Sequence, residues 1–267
     1  SSIQPSCFGV MTKWTSIRRD PATWLTISTA SLIWSYGSSH QAESSNGAPD
    51  SSATLVSLFK KISLENRVMH QGGWQGDVSE GMNGKTLGLL GLGKLGAKVA
   101  RVGLALDMNV IAWSENLTEE RCAEVGVGYA DKETLFKESD AISIHLVLSD
   151  RTRGLVGAAE LALMKPTAYL INTSRGPVVD EAALIKALQE GWLQGAGLDV
   201  LEKEPPDRDN PLLGMDNVLI TPHWGHYSDR SIKVRPRRYG AEIAAVLDHR
   251  KPMHLVNPKV LELLPLR

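Results

Sequence analysis

Cysteine is scarce in this chain, and neither sign of charge is in excess. Cys7 and Cys122 are the two cysteines. They stand far apart, too few for a disulfide framework and without the spacing of a metal site. No metal is therefore expected, and a reducing compartment, the cytoplasm, follows as the default. With 29 basic and 30 acidic side chains the formal charge is -1, so no net field draws in nucleic acid or an anionic membrane. A small molecule is the expected partner. Long apolar runs are missing too. The stretch RRDPATWLTISTASLIW, residues 18–34, sets two arginines before a mostly apolar run, yet five Ser or Thr residues interrupt it. A membrane span needs about 18 uninterrupted apolar residues, so this stretch reads as a buried strand or helix. No repeat of a length typical of solenoids or propellers is present.

What the chain does have is core material and alternation. Its 267 residues are 42% hydrophobic, enough for one large domain or two modest ones. From about Thr86 onward, short apolar runs (TLGLLGL, NVIAW, GVGY, DAISIHLVL, TAYLINT, GAGLDV, NVLIT) alternate with helical patterns. The helices are expected near 94–106, 118–125, 132–138, 158–164, 180–190 and 228–249. Strands that are apolar on both faces must be covered on both faces, so the expected fold is α/β, a doubly wound parallel sheet of Rossmann type. Ahead of it, Leu55, Leu58, Phe59, Ile62 and Met69 recur at helical spacing and predict one connecting helix over 53–70. The division read from this is 1–52 as a small N-terminal lobe of unassigned fold, 53–250 as a dinucleotide-binding domain, and 251–267 as a segment returning to the lobe.

Gly91, Gly93 and Gly96 form G-x-G-x-x-G directly after an apolar run and at the start of a helical one. In that context the first glycine serves a tight turn, the second lets backbone approach a pyrophosphate, and the third lets helix and sheet pack closely. The amides of Lys94 and Leu95 would then face an anion from a helix N-terminus. An NAD site calls for an acidic side chain after the second strand to hold the adenine ribose. Here Ser114 and then Glu115 occupy that place. The serine leaves room for a 2'-phosphate and the glutamate opposes one, so NAD or NADP stays open. Thr173, after TAYLIN, is a further candidate for cofactor contact.

Three polar residues fall at the ends of later strands, where open α/β sheets bind ligands: Arg175 in INTSRGPVVDEAAL, Glu204 in GLDVLEKEPP and His223 in NVLITPHWG. Taken singly, each could be a solvated loop residue. In their order and spacing, GLGKLG, NTSRGPVVDEAAL, GLDVLEKEP and TPH resemble the D-isomer-specific 2-hydroxyacid dehydrogenase family from about Ala53 to Pro258. The resemblance implies that Arg175 holds a substrate carboxylate and that His223 exchanges a proton. It also implies that Glu204 pairs with His223, that Asp199 holds the nicotinamide amide, and that LVLSDRT, residues 146–152, is the loop under the adenine and ribose. A guanidinium can take a carboxylate through two parallel hydrogen bonds, which orients the carbon beside it for hydride transfer. A cytoplasmic homodimer is expected by the same resemblance.

Two departures accompany it. The segment before the connecting helix is shorter than that family's substrate lobe, so residues 1–52 read as a truncated remnant of one. Pro236 interrupts the last helical pattern, where a kink or break is expected. The neighbouring Lys233, Arg235, Arg237 and Arg238 read as a solvated basic face. The leading expectation is an oxidoreductase that reduces a small 2-oxo acid to the D-2-hydroxy acid with NAD(P)H. The alternatives are a repurposed enzyme with no net redox change and a cofactor-binding protein with little turnover.

Overall fold

The computed structural model describes residues 47–255, 257–262 and 266. Expectations for residues 1–46, including the apolar stretch 18–34 and most of the N-terminal lobe, lie outside the described residues. Residues 44–231 form one compact unit, and from Ile232 the chain belongs to a second. The boundaries expected from the sequence are 52/53 and 250/251.

The first unit is built on seven parallel strands: β1 (Thr86–Leu90), β2 (Asn109–Trp113), β3 (Gly128–Tyr129), β4 (Ala141–Ile144), β5 (Tyr169–Asn172), β6 (Gly195–Leu198) and β7 (Val218–Ile220). Their spatial order is β3-β2-β1-β4-β5-β6-β7. The expected doubly wound sheet is therefore present, and its direction of winding reverses between β1 and β4. Every residue of β4, β5 and β6 is buried, as strands covered on both faces require. Successive side chains supply opposite faces. Leu87, Leu89, Tyr169 and Ile171 pack into one core cluster, while Leu90, Ile142, Ile144 and Leu170 pack into the other.

The helices follow the expected pattern with trimmed ends: α1 (Gly47–Phe59), α2 (Ile62–His70), α3 (Gly96–Ala105), α4 (Glu119–Val125), α5 (Lys132–Glu138), α6 (Ala158–Leu161), α7 (Glu181–Gln189) and α8 (Asp229–Leu247). Local capping sets several starts. Thr118, Asp131 and Asp180 each accept a hydrogen bond from a first-turn amide, which satisfies a donor the helix leaves open. DAISIHLVL yields only the four residues of β4. The amide of His145 still bonds Leu90 O, but Gly91 turns away at φ 107° and the ladder ends.

The single connecting helix expected over 53–70 is two helices. Lys61 adopts the left-handed conformation, φ 50°, and redirects the chain. The apolar spacing is real only in the first half. Leu55, Leu58 and Phe59 are buried, whereas Ile62 and Met69 are half exposed. The α1 face closes one side of the sheet, with Phe59 against Tyr169 at 5.2 Å between ring centroids. Burying such side chains stabilises by about 1.5–3 kcal/mol each, so α1 is part of the sheet domain's core rather than a link.

In the second unit, α8 runs through Pro236 without the expected break. Proline forfeits one backbone bond, and the turns on either side keep theirs. Among the described residues no helix is long and apolar enough to cross a membrane, and no cluster of side chains could hold a metal.

Candidate active site

The site forms along the C-terminal ends of the strands. Gly91, Gly93 and Gly96 are brought to the β1 end as expected, and each has its own steric reason. A Cβ on Gly91 would come within 2.9 Å of His145 O, and one on Gly96 within 2.1 Å of Gly91 O, whereas one on Gly93 would meet nothing within 4 Å. The first and third glycines therefore let loop, strand and helix close up, and the second leaves its backbone open to a ligand. Lys94 is exposed, Leu95 half-buried.

Beside this turn lies a groove of about 570 Å³, lined by Gly91, Gly93, Trp113, Ser114, Glu115 and the loop after β4. The expected adenine-side loop, residues 146–152, contributes Leu146, Val147, Ser149, Arg151 and Thr152 to its wall. His145, at the head of that loop, also lines the groove. Protein surrounds it densely, and this burial pushes its pKa down to about 4. A neutral histidine thus forms part of the wall, with Nε2 3.0 Å from Ser143 Oγ. An exposed glycine backbone next to a groove at the sheet's reversal point fits a dinucleotide.

The catalytic candidates stand over β5, β6 and β7. Four strand spacings separate β2 from β6, about 19 Å, so a ligand gripped at Ser114 must lie extended across the sheet to reach them. Their loops are bound to one another. Glu204 Oε2 meets His223 Nδ1 at 2.8 Å, and Glu204 Oε1 accepts from Leu201 N at 3.1 Å. An ionised carboxylate only accepts, so Nδ1 carries a proton and Nε2 is the nitrogen left for exchange. Gly176, next to Arg175, packs so tightly on the β6 loop that a Cβ there would sit 1.9 Å from Leu201 O and 2.6 Å from Glu202 N. That contact explains why a glycine follows the arginine, and it places the Arg175 loop against the Glu204 loop.

Asp199 is 3% exposed. Its carboxylate accepts from Trp224 N at 2.6 Å, from Gly225 N at 2.8 Å and from Thr221 Oγ1. These bonds bracket His223, whose φ of 53° is left-handed and costs a non-glycine residue about 1–2 kcal/mol. Asp50 lies close by. Burial, then the Asp199 charge, raises its pKa, and its Oδ2 is buried without a partner. Thr173 hydrogen-bonds Ser51 Oγ at 2.6 Å and so ties the β5 end to α1.

Two supporting residues escaped the sequence reading. Asn172, 1% exposed, donates from Nδ2 to Arg175 O and accepts from Ser174 N and Ser174 Oγ, which sets the backbone of the arginine loop. Glu181 accepts from Glu202 N and from Asn210 Nδ2, fastening the loop that carries Glu204. The asparagine had a legible signal, since Asn-x-Ser favours a local side-chain turn. Glu181 had none, because its partners are distant in sequence.

A reversed-order parallel sheet with an open glycine turn beside a groove is the build of a dinucleotide-binding domain, and a histidine–carboxylate pair stands beside an arginine loop at the same edge of the sheet. The comparisons agree. Residues 52–225 match the description "D-isomer specific 2-hydroxyacid dehydrogenase, NAD binding domain", and the chain belongs to that family. A glyoxylate reductase of Aeropyrum pernix is 44% identical over 182 residues, which cover 68% of this chain and 54% of the relative. One from Thermococcus litoralis is 38% identical over 218 residues, covering 78% and 66%. Among solved structures, the NAD complexed form of a D-isomer specific 2-hydroxyacid dehydrogenase from Lactobacillus delbrueckii ssp. bulgaricus matches with a TM-score of 0.70 at 32% identity, over 80% of this chain and 70% of that one. The chain spans between about half and two thirds of the length of these two curated relatives.

Proposed function

We propose that this protein reduces a small 2-oxo acid to the D-2-hydroxy acid. The observation that carries the reading is the 2.8 Å contact of His223 Nδ1 with Glu204 Oε2, set beside the Arg175 loop at the same C-terminal edge of the sheet as the groove. The reduced nicotinamide supplies the hydride when bound. Arg175 takes the substrate carboxylate through its guanidinium, whose Nη1 also donates to Ser174 O at 2.6 Å. His223 gives the proton from Nε2 to the keto oxygen as the carbon is reduced, and Glu204 holds the imidazole in the orientation that makes this possible. Gly91, Gly93, Lys94, Leu95 and Gly96 hold the pyrophosphate, Ser114 and Glu115 face the adenine ribose, and Thr173 and Asp199 stand at the nicotinamide end.

Loss of absorbance at 340 nm tests this, with NADH or NADPH against glyoxylate, hydroxypyruvate and phenylpyruvate. Cofactor binding without consumption on every acid would reject it. We further propose that the protein works in the cytoplasm as a homodimer. Ile62, Met69, Trp74 and Val78 are exposed within one short stretch, Trp74 at 74% and Val78 at 89%, an apolar surface that a second copy would cover. A sedimentation run showing only the 29.1 kDa species would rule out the dimer.

A further inference from the structure

The adenosine end of the groove gathers positive charge that the linear sequence hides. Ser114 follows β2 directly and is half-buried, while Glu115 beside it is exposed. Arg121 from α4 and Arg151 from the loop after β4 both line this groove. An NAD site holds the ribose hydroxyls with a carboxylate after this strand. Here the place nearest the strand is taken by a short neutral hydroxyl, and Arg121, Arg151 and Glu115 are the charged side chains among the groove's lining residues.

Both arginines are available. Arg151 is exposed and makes no ion pair among the described residues. Arg121 pairs through Nη1 with Glu124 Oε2 at 2.8 Å, with side chains 45% and 66% exposed. A solvated pair of that kind is weak, and it leaves the other guanidinium nitrogens free. A phosphomonoester carries close to two negative charges at neutral pH and offers three acceptor oxygens, which suits two guanidinium forks and a hydroxyl better than a ribose hydroxyl does.

We infer that this end of the groove binds the 2'-phosphate of NADP(H) through Arg121, Arg151 and Ser114, so that the protein prefers NADPH to NADH. The inference rests on the dinucleotide reading of the groove and adds the choice of cofactor.

Trp113 lines the groove, so quenching of tryptophan fluorescence reports binding without turnover. At low ionic strength NADPH should bind about tenfold or more tightly than NADH, and the ratio should shrink as salt is raised. Arg121→Ala and Arg151→Ala should each lower the NADPH-to-NADH affinity ratio by about threefold to tenfold. Ser114→Asp should reverse the preference while NADH still binds, which separates lost selectivity from a lost fold. Equal or tighter binding of NADH by the unaltered protein would overturn the inference and leave the dinucleotide groove standing. Failure of both nucleotides to bind would overturn the groove reading as well.

Discussion

Replacing Gly176 with alanine tests whether the arginine loop and the glutamate loop act as one piece. The added Cβ would meet Leu201 O at 1.9 Å, Leu201 C at 2.1 Å and Glu202 N at 2.6 Å. All three are backbone atoms, so no side chain can swing aside. Restoring an ordinary carbon–oxygen contact of about 3.4 Å requires the two loops to separate by about 1.5 Å. Overpacking of this kind destabilises by about 1–3 kcal/mol, which leaves most of the molecules folded. The greater effect falls on geometry. Arg175 precedes the altered residue, while Glu204 and His223 stand on the other side of the contact. A misplacement of about 1 Å costs on the order of 100-fold in rate. The expected outcome is a fall of about that size in kcat/KM for glyoxylate, with NADPH binding, read separately by Trp113 fluorescence, changed less than threefold. A Gly176→Ala protein whose kcat/KM stayed within threefold of the original would refute the coupling of the two loops.

Arg175→Ala should raise KM for the oxo acid more than it lowers kcat, and His223→Ala should lower kcat by about 100-fold or more at similar KM; steady-state kinetics would expose the reverse pattern. Asp199→Asn keeps one acceptor oxygen and puts an amide donor against either Trp224 N or Gly225 N, so urea unfolding should show a loss of about 1–3 kcal/mol, and hydrogen exchange in the Trp224–Gly225 turn should quicken. His145 holds its pKa near 4, below the ordinary 6.5, so the unfolded chain binds its proton first as the medium is acidified. Its contribution to stability is then complete above about pH 6.5 and is lost as pH falls toward 4, by at most about 3 kcal/mol and less where groove water screens the ring. Chemical unfolding between pH 7 and 4.5 should show this slope, and His145→Gln should flatten it.

Much of this protein was legible along the chain, and the reasons are local. Apolar runs such as TAYLIN and GAGLDV read as strands covered on both faces, and the helix starts expected near 132 and 180 are set locally, where Asp131 and Asp180 accept from amides three residues on. The glycine turn was readable because its spacing is a consequence of backbone geometry within a few residues. Periodicity misled where burial did not follow it. Ile62 and Met69 continue the spacing of Leu55 and Phe59, yet Lys61 turns the helix away from the sheet and leaves them in solvent. Arg175, Glu204 and His223 could be named from motif order, but the pairing of Glu204 with His223 and the seating of the Arg175 loop on the Glu204 loop depend on strand order, which places β5, β6 and β7 side by side. Tertiary packing alone decided that Gly176 seats one loop on the other, that Asp199 holds the strained backbone at His223, and that Arg121 and Arg151 line one groove with Ser114. Such relations join residues from separate crossovers, and chain distance carries no information about which loop ends a parallel sheet will bring together.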